Sequence, residues 1–236
     1  ETLQQVHEQL QESNQLAMCA VSGMGGIGKT ELAVQYAMKH KDNYSGGRCW
    51  LQCRAGDVGT QIVNFALSRL GLTIPEGLEP SDRIGYCWQH WKEGQVLLIY
   101  DDVTDYQAIA SLLPPRDMSR FKVLMTSRQR AGANYSRIDL DVLDEGYALD
   151  LLRSLVGGER IDAELDGAKA LCAWLGYLPL GLELVGRHLK NNTTLTLKRL
   201  QERLNRAKLK AQVFVHPEQG DMTAKLGVAA AFELSW

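Results

Sequence analysis

Val21-Ser22-Gly23-Met24-Gly25-Gly26-Ile27-Gly28-Lys29-Thr30 is the stretch on which the reading of this chain turns. Before it, Leu16–Val21 is an apolar run that reads as a buried strand. After it, Glu31-Leu32-Ala33-Val34-Gln35-Tyr36-Ala37 places apolar residues at helical spacing. A glycine-rich turn therefore joins a strand to a helix. Gly23, Gly28, Lys29 and Thr30 fill the G-x-x-x-x-G-K-[ST] pattern of a phosphate loop. Glycines let the backbone from Gly23 through Met24, Gly25, Gly26, Ile27 and Gly28 turn tightly and approach a phosphate. The freed amides and the helix N-terminus then face the anion. Lys29 is expected to reach the β- and γ-phosphates, and the Thr30 hydroxyl to hold Mg²⁺. Nucleotide binding follows from this stretch; hydrolysis is a separate question.

The 236 residues suffice for one large domain or two smaller ones with a sizeable core. A net charge of −2 gives no electrostatic reason to expect nucleic acid or an anionic membrane as partner. The basic residues of Arg199–Lys210 alternate with apolar ones and read as the solvated face of a helix. Five cysteines, an odd count without C-x-x-C pairs, argue against a disulfide framework or a zinc site and fit a reducing cytosol. No run reaches the roughly 18 apolar residues of a membrane span. Residue 1 is not Met, so the chain is read as a piece of a longer protein.

The second chemical landmark is Val96-Leu97-Leu98-Ile99-Tyr100-Asp101-Asp102. Successive apolar residues mark a strand buried on both faces, as in a parallel sheet, and ligands bind at the C-terminal ends of such strands. Downstream of a phosphate loop, two carboxylates there read as a Walker B arrangement. Asp101 is expected to serve Mg²⁺, and Asp102 to orient an attacking water as a weak base. Phe121–Arg128 is another buried strand with a polar end, and Arg128 is placed to meet a γ-phosphate from within the chain. Cys49–Cys53 and Arg137–Val142 read as further strands, with helices over residues 3–14, 29–40, 59–70, 81–92 and 106–113. From Asp144 strand-like runs cease and helices follow over 145–156, 162–175, 180–189 and 195–208. The expected organisation is a nucleotide-binding α/β domain over residues 1–143, a helical domain over 144–212, and a further segment over 213–236 that begins another module.

With these landmarks in place the chain resembles the NB-ARC type of STAND P-loop NTPases, with the look of bacterial, cyanobacterial members. Five motifs fall in order: Gly-Met-Gly-Gly-Ile-Gly-Lys-Thr at 23–30, Cys-Trp-Leu-Gln-Cys at 49–53, Leu-Leu-Ile-Tyr-Asp-Asp-Val at 97–103, Lys-Val-Leu-Met-Thr-Ser-Arg at 122–128, and Gly-Tyr-Leu-Pro-Leu at 176–180. The resemblance implies a P-loop parallel sheet flanked by helices, then a four-helix ARC1 domain, then the first helix of a truncated winged-helix ARC2 domain. It implies that Arg128 is the arginine that senses the γ-phosphate, and that Pro179, with Leu180 beside it, packs against nucleotide. Glu31 stands where many members carry Thr or Ser, which leaves its backbone amide to serve the α-phosphate. The family's adenine-holding segment ahead of the first helix and its late His-Asp motif do not appear in these residues.

What the resemblance implies for function is a cytoplasmic switch that binds adenine nucleotide. ADP would hold it inactive; exchange for ATP with Mg²⁺ would promote self-association. Hydrolysis would be slow, catalysed through Lys29, Asp102 and Arg128, and effector and repeat-sensor domains would flank the piece. Two rivals differ in class. A turnover enzyme, such as a kinase or GTPase, would need an arginine-rich lid or an N-K-x-D guanine motif, and no such guanine motif is present. A non-hydrolysing scaffold stabilised by nucleotide is compatible with the same residues.

Overall fold

The computed structural model describes residues 2–20, 26–54, 56–129 and 135–212. Gly23, Met24 and Gly25 of the phosphate loop, and the winged-helix reading of 213–236, lie outside them. The elements are α1 (Thr2–Ser13), β1 (Gln15–Ala20), α2 (Lys29–Lys39), a 3-10 turn (Lys41–Asn43), β2 (Gly47–Gln52), α3 (Val58–Arg69), α4 (Pro80–His90), β3 (Val96–Val103), α5 (Tyr106–Ala110), β4 (Phe121–Ser127) and β5 (Ser136–Leu140). After these come α6 (Glu145–Val156), α7 (Gly158–Ala163), α8 (Leu165–Trp174), α9 (Pro179–Asn191) and α10 (Leu197–Gln212).

The chain forms two compact units. Among the described residues, the first runs to Leu140 and omits Gly26–Gly28; the second takes those three residues and 141–212. In the first unit five strands form one sheet in the order β2-β3-β4-β1-β5, with every pairing parallel. All C-terminal strand ends therefore share one edge. The strand that leads into the phosphate loop, β1, is not next to the carboxylate-bearing strand, β3; β4 lies between them. Leu97, Leu98, Ile99 and Tyr100 are all fully buried, as a strand covered on both faces requires. Trp88 of α4 and Trp91, just after it, stack with centroids 5.3 Å apart and meet Phe121 edge-on. Asp57 starts α3 by accepting hydrogen bonds from the Gly59 and Thr60 amides, a cap worth about 1 kcal/mol.

The second unit is helical. Leu152, Leu171, Leu182, Leu189, Leu200 and Leu204 are fully buried at its centre. The run expected as one helix over 162–175 is two, because Glu164 leaves helical geometry at φ −125°, ψ 42°. Gly157 at φ 107° and the glycine-led segment after it give α7 its own start, which the periodicity of 162–175 alone does not show.

Candidate functional site

The ends of β1, β2, β3 and β4 lie along the C-terminal edge of the sheet, and each leads into polar side chains. After β1, α2 begins at Lys29, so Lys29 and Thr30 occupy a helix N-terminus whose free amides favour an anion. Gly26 and Gly28 have φ of 85° and 94°, a left-handed backbone that side-chain-bearing residues adopt only with strain. Lys29 is largely buried. Burial, and then the Arg128 guanidinium, lower its pKa, while Asp102 and Asp101 act in the opposite direction. An ammonium with little solvation of its own is well prepared to accept phosphate oxygens.

Asp101 and Asp102 sit in a bulge. Tyr100 pairs with Met125 and Val103 with Ser127, so two residues of β3 oppose the single Thr126 of β4. The extra residue puts Asp102 at φ 54°. Its amide cannot join the regular ladder and donates to Thr126 Oγ1 at 2.9 Å. The Thr126 hydroxyl in turn donates to Asp101 Oδ1 at 2.6 Å. Thr126 is 1% exposed, so its hydroxyl has little else to bond. One buried threonine thus ties the Asp101 carboxylate to the Asp102 backbone.

The Thr30 hydroxyl donates to the same Asp101 Oδ1 at 2.8 Å. This distance bears on Mg²⁺. Two oxygens on adjacent vertices of an octahedron with ~2.1 Å bonds stand about 3 Å apart. Thr30 Oγ1 and Asp101 Oδ1 therefore fit a Mg²⁺ ion with almost no movement. Among the described residues no group of three His, Cys, Asp or Glu forms an all-protein metal cage.

Asp102 is engaged on both oxygens. Arg54 Nη1, just beyond β2, lies 3.2 Å from Oδ2, and Arg128 Nε, just beyond β4, lies 3.5 Å from Oδ1. Glu31 is exposed, and its carboxylate accepts from Gln35 Nε2 at 2.6 Å one turn along the helix.

The remaining expected residues belong to the second unit. Gly176 and Tyr177 are both left-handed, at φ 62° and 56°, and turn the chain so that Pro179 opens α9. Within this unit the Leu180 amide donates to the Gly26 carbonyl at 3.2 Å. A Cβ placed on Gly28 would lie 3.9 Å from Pro179 Cγ. Gly26, Ile27 and Gly28 are thus brought to Pro179 and Leu180, while Lys29, Thr30, Asp101, Asp102 and Arg128 are brought to one another. Sequence reasoning missed the roles of Thr126 and Arg54. The polar end Thr126-Ser127-Arg128 on an otherwise apolar strand was a signal for the first. A lone arginine after an ordinary strand offered none for the second.

Similarity to known proteins gives the family and the fold. A model of the NB-ARC domain matches residues 1–162. The regulatory protein AfsR of Streptomyces griseus is 31% identical over 237 residues, 95% of this chain and 23% of that protein, so the chain spans less than a quarter of the relative's length. A Walker-type ATPase of Pyrococcus abyssi superposes with a TM-score of 0.56 at 11% identity, covering 90% of this chain and 72% of its own. A STAND protein with a tetratricopeptide repeat sensor from Pyrococcus horikoshii superposes with a TM-score of 0.52 at 14% identity, covering 97% of this chain and 38% of its own. At such identities the two superpositions speak to fold. No helix among the described residues is long and apolar enough to cross a membrane.

Proposed function

The chain belongs to the NB-ARC domain family of STAND-type P-loop NTPases, and from that premise we propose that it is an adenine-nucleotide switch that holds ADP when off and ATP when on. The observation that carries this reading is the shared acceptor Asp101 Oδ1, which gathers the Thr30 and Thr126 hydroxyls beside Lys29. In this reading residues 26–31 bind the phosphates, with Gly23, Met24 and Gly25 completing the loop. Thr30 and Asp101 hold Mg²⁺, which when bound neutralises phosphate charge. Lys29 supplies a poorly solvated ammonium to the phosphate oxygens. Pro179 and Leu180 contact the nucleotide.

Slow hydrolysis fits the state of Asp102. Its two oxygens face Arg54 at 3.2 Å and Arg128 at 3.5 Å, and these guanidiniums compete with an attacking water for them until one leaves. Arg128 would then be free for a γ-phosphate. Residues 1–143 would bind nucleotide, 144–212 would form the ARC1 helical domain, and 213–236 would begin the winged-helix domain. Self-association in the ATP state, a cytoplasmic location, and flanking effector and repeat-sensor domains complete the proposal. Nucleotide at a hundredfold its dissociation constant would add about 2.7 kcal/mol of stability, so ADP would act as a structural part of the off state.

The test is to denature the purified protein and chromatograph what it releases, then to titrate the refilled protein with ADP and ATP. Adenine nucleotide at near-stoichiometric amounts is expected. Guanine nucleotide, or no binding of either adenine nucleotide, would overturn the proposal.

A further inference from the structure

Arg54 has no place in the motifs, yet it holds one of the two oxygens of the central carboxylate. It leaves the C-terminal end of β2, on one flank of β3, while Arg128 leaves the end of β4 on the other. The two guanidiniums bracket Asp102 and use different oxygens, at 3.2 and 3.5 Å. Neither pair is the parallel two-bond fork that makes an arginine–carboxylate contact strong. The Arg54 side chain is 61% exposed, and an exposed single-bond pair is a weak restraint. Asp102, meanwhile, is fixed by its backbone: φ 54° in the bulge, with its amide on Thr126. The Asp102 backbone is held in place, whereas the exposed Arg54 side chain has room to move.

An acceptor that would draw it off is close by. Asp101, next to Asp102 in the bulge, accepts from the Thr30 hydroxyl at 2.8 Å, so Arg54 is held on the same strand end that meets the N-terminus of α2. A terminal phosphate offers a planar guanidinium two oxygens at the right spacing.

We propose that Arg54 is a second guanidinium that binds the terminal phosphate of a nucleoside triphosphate, held on Asp102 until that phosphate arrives. The proposal rests on the adenine-switch reading and adds what distinguishes the two nucleotides. Transfer of Arg54 from Asp102 to phosphate stabilises the triphosphate form and unloads one oxygen of Asp102 in the same movement. Asp102 is then a competitor for Arg54, and its removal strengthens triphosphate binding.

The experiment is calorimetric titration of nucleotide-free protein with Mg-ADP and with a Mg-ATP analogue whose β,γ-bridge is nitrogen. It is run on wild type, Arg54→Ala, Arg54→Lys, Asp102→Asn and the double variant Arg54→Ala/Asp102→Asn. The readout is the ratio of the ADP to the ATP-analogue dissociation constant. Arg54→Ala is expected to lower that ratio about tenfold, the range of one charge-assisted hydrogen bond. Arg54→Lys, with charge but no fork, falls between. Asp102→Asn raises the ratio, and the loss caused by Arg54→Ala is larger in its background than in wild type. A ratio within twofold of wild type in Arg54→Ala, or equal losses for both nucleotides, would overturn the proposal while leaving the switch reading intact. Wild type that binds neither nucleotide would overturn the switch reading and this proposal together.

Discussion

Replacing Thr126 with Val removes one hydroxyl and leaves the volume almost unchanged, so the loss isolates hydrogen bonding from packing. The hydroxyl serves two partners: it accepts from the Asp102 amide at 2.9 Å and donates to Asp101 Oδ1 at 2.6 Å. A bond to a charged group contributes about 1.5–3 kcal/mol net, and a buried donor left unpaired costs about 1–3 kcal/mol. The two do not add in full. Asp101 keeps the Thr30 hydroxyl, and the bulge is partly open to water, which takes over some of the Asp102 amide. The expected loss in Thr126→Val is about 2–3 kcal/mol of stability in the first unit. Equilibrium urea unfolding, followed by tryptophan fluorescence and circular dichroism, measures it; Trp88 and Trp91 report the sheet unit through their packing on Phe121. Thr126→Ser keeps the hydroxyl and loses a methyl, at a cost near 1 kcal/mol. The valine variant should also bind Mg-nucleotide more weakly, because Asp101 is no longer aimed. If Thr126→Val is within about 0.5 kcal/mol of wild type, or no worse than Thr126→Ser, Thr126 does not hold the carboxylates and the bulge is self-supporting.

Two further outcomes concern titration. Lys29 has its pKa lowered below 10.5, first by burial and then by Arg128. The unfolded chain therefore binds the proton more tightly, and wild type should gain stability relative to Lys29→Met as pH rises from the lowered folded value towards 10.5. The same variant should bind nucleotide on the order of a hundredfold more weakly; a flat stability difference would show that Lys29 is not desolvated. His40 stacks on His7 with centroids 4.2 Å apart, and its Nε2 is buried with no hydrogen bond among the described residues. Burial, then His7 and Lys39, lower its pKa from 6.5, so its share of stability is present above that value and lost as pH falls through the folded one. His40→Gln should flatten this acid loss in urea midpoints taken from about pH 7.5 to 5; parallel curves for the two proteins would show that His40 is solvated like a surface imidazole.

Much of the fold could be read without coordinates because its signals are local. Val96–Tyr100 is apolar without interruption, and only a strand covered on both faces accommodates such a run. Glu145–Val156 has the same ends in sequence and structure, since Asp144 caps it and Gly157 closes it. The boundary inside 162–175 was missed because Glu164 carries no breaker signature; where it leaves the helix its carboxylate accepts from the Leu197 amide at 3.1 Å, a partner 33 residues away. Of the candidate site, Lys29, Thr30 and Asp101 follow from residue type and position. The engagement of Asp102 does not, because its partners, 48 residues upstream and 26 downstream in the chain, become neighbours only through strand order.

The sequence by itself determined that a strand, a glycine turn and a helix would present Lys29 and Thr30 to phosphate, because backbone freedom at glycine and helical periodicity act within a few residues. Tertiary structure alone decided what the carboxylates do. Parallel pairing inserts β4 between the loop strand and β3, so Thr126 can tie Asp101 to Asp102, and Arg54 and Arg128 can reach Asp102 from either side. Strand order is a property of the whole packed sheet, and no short segment carries it.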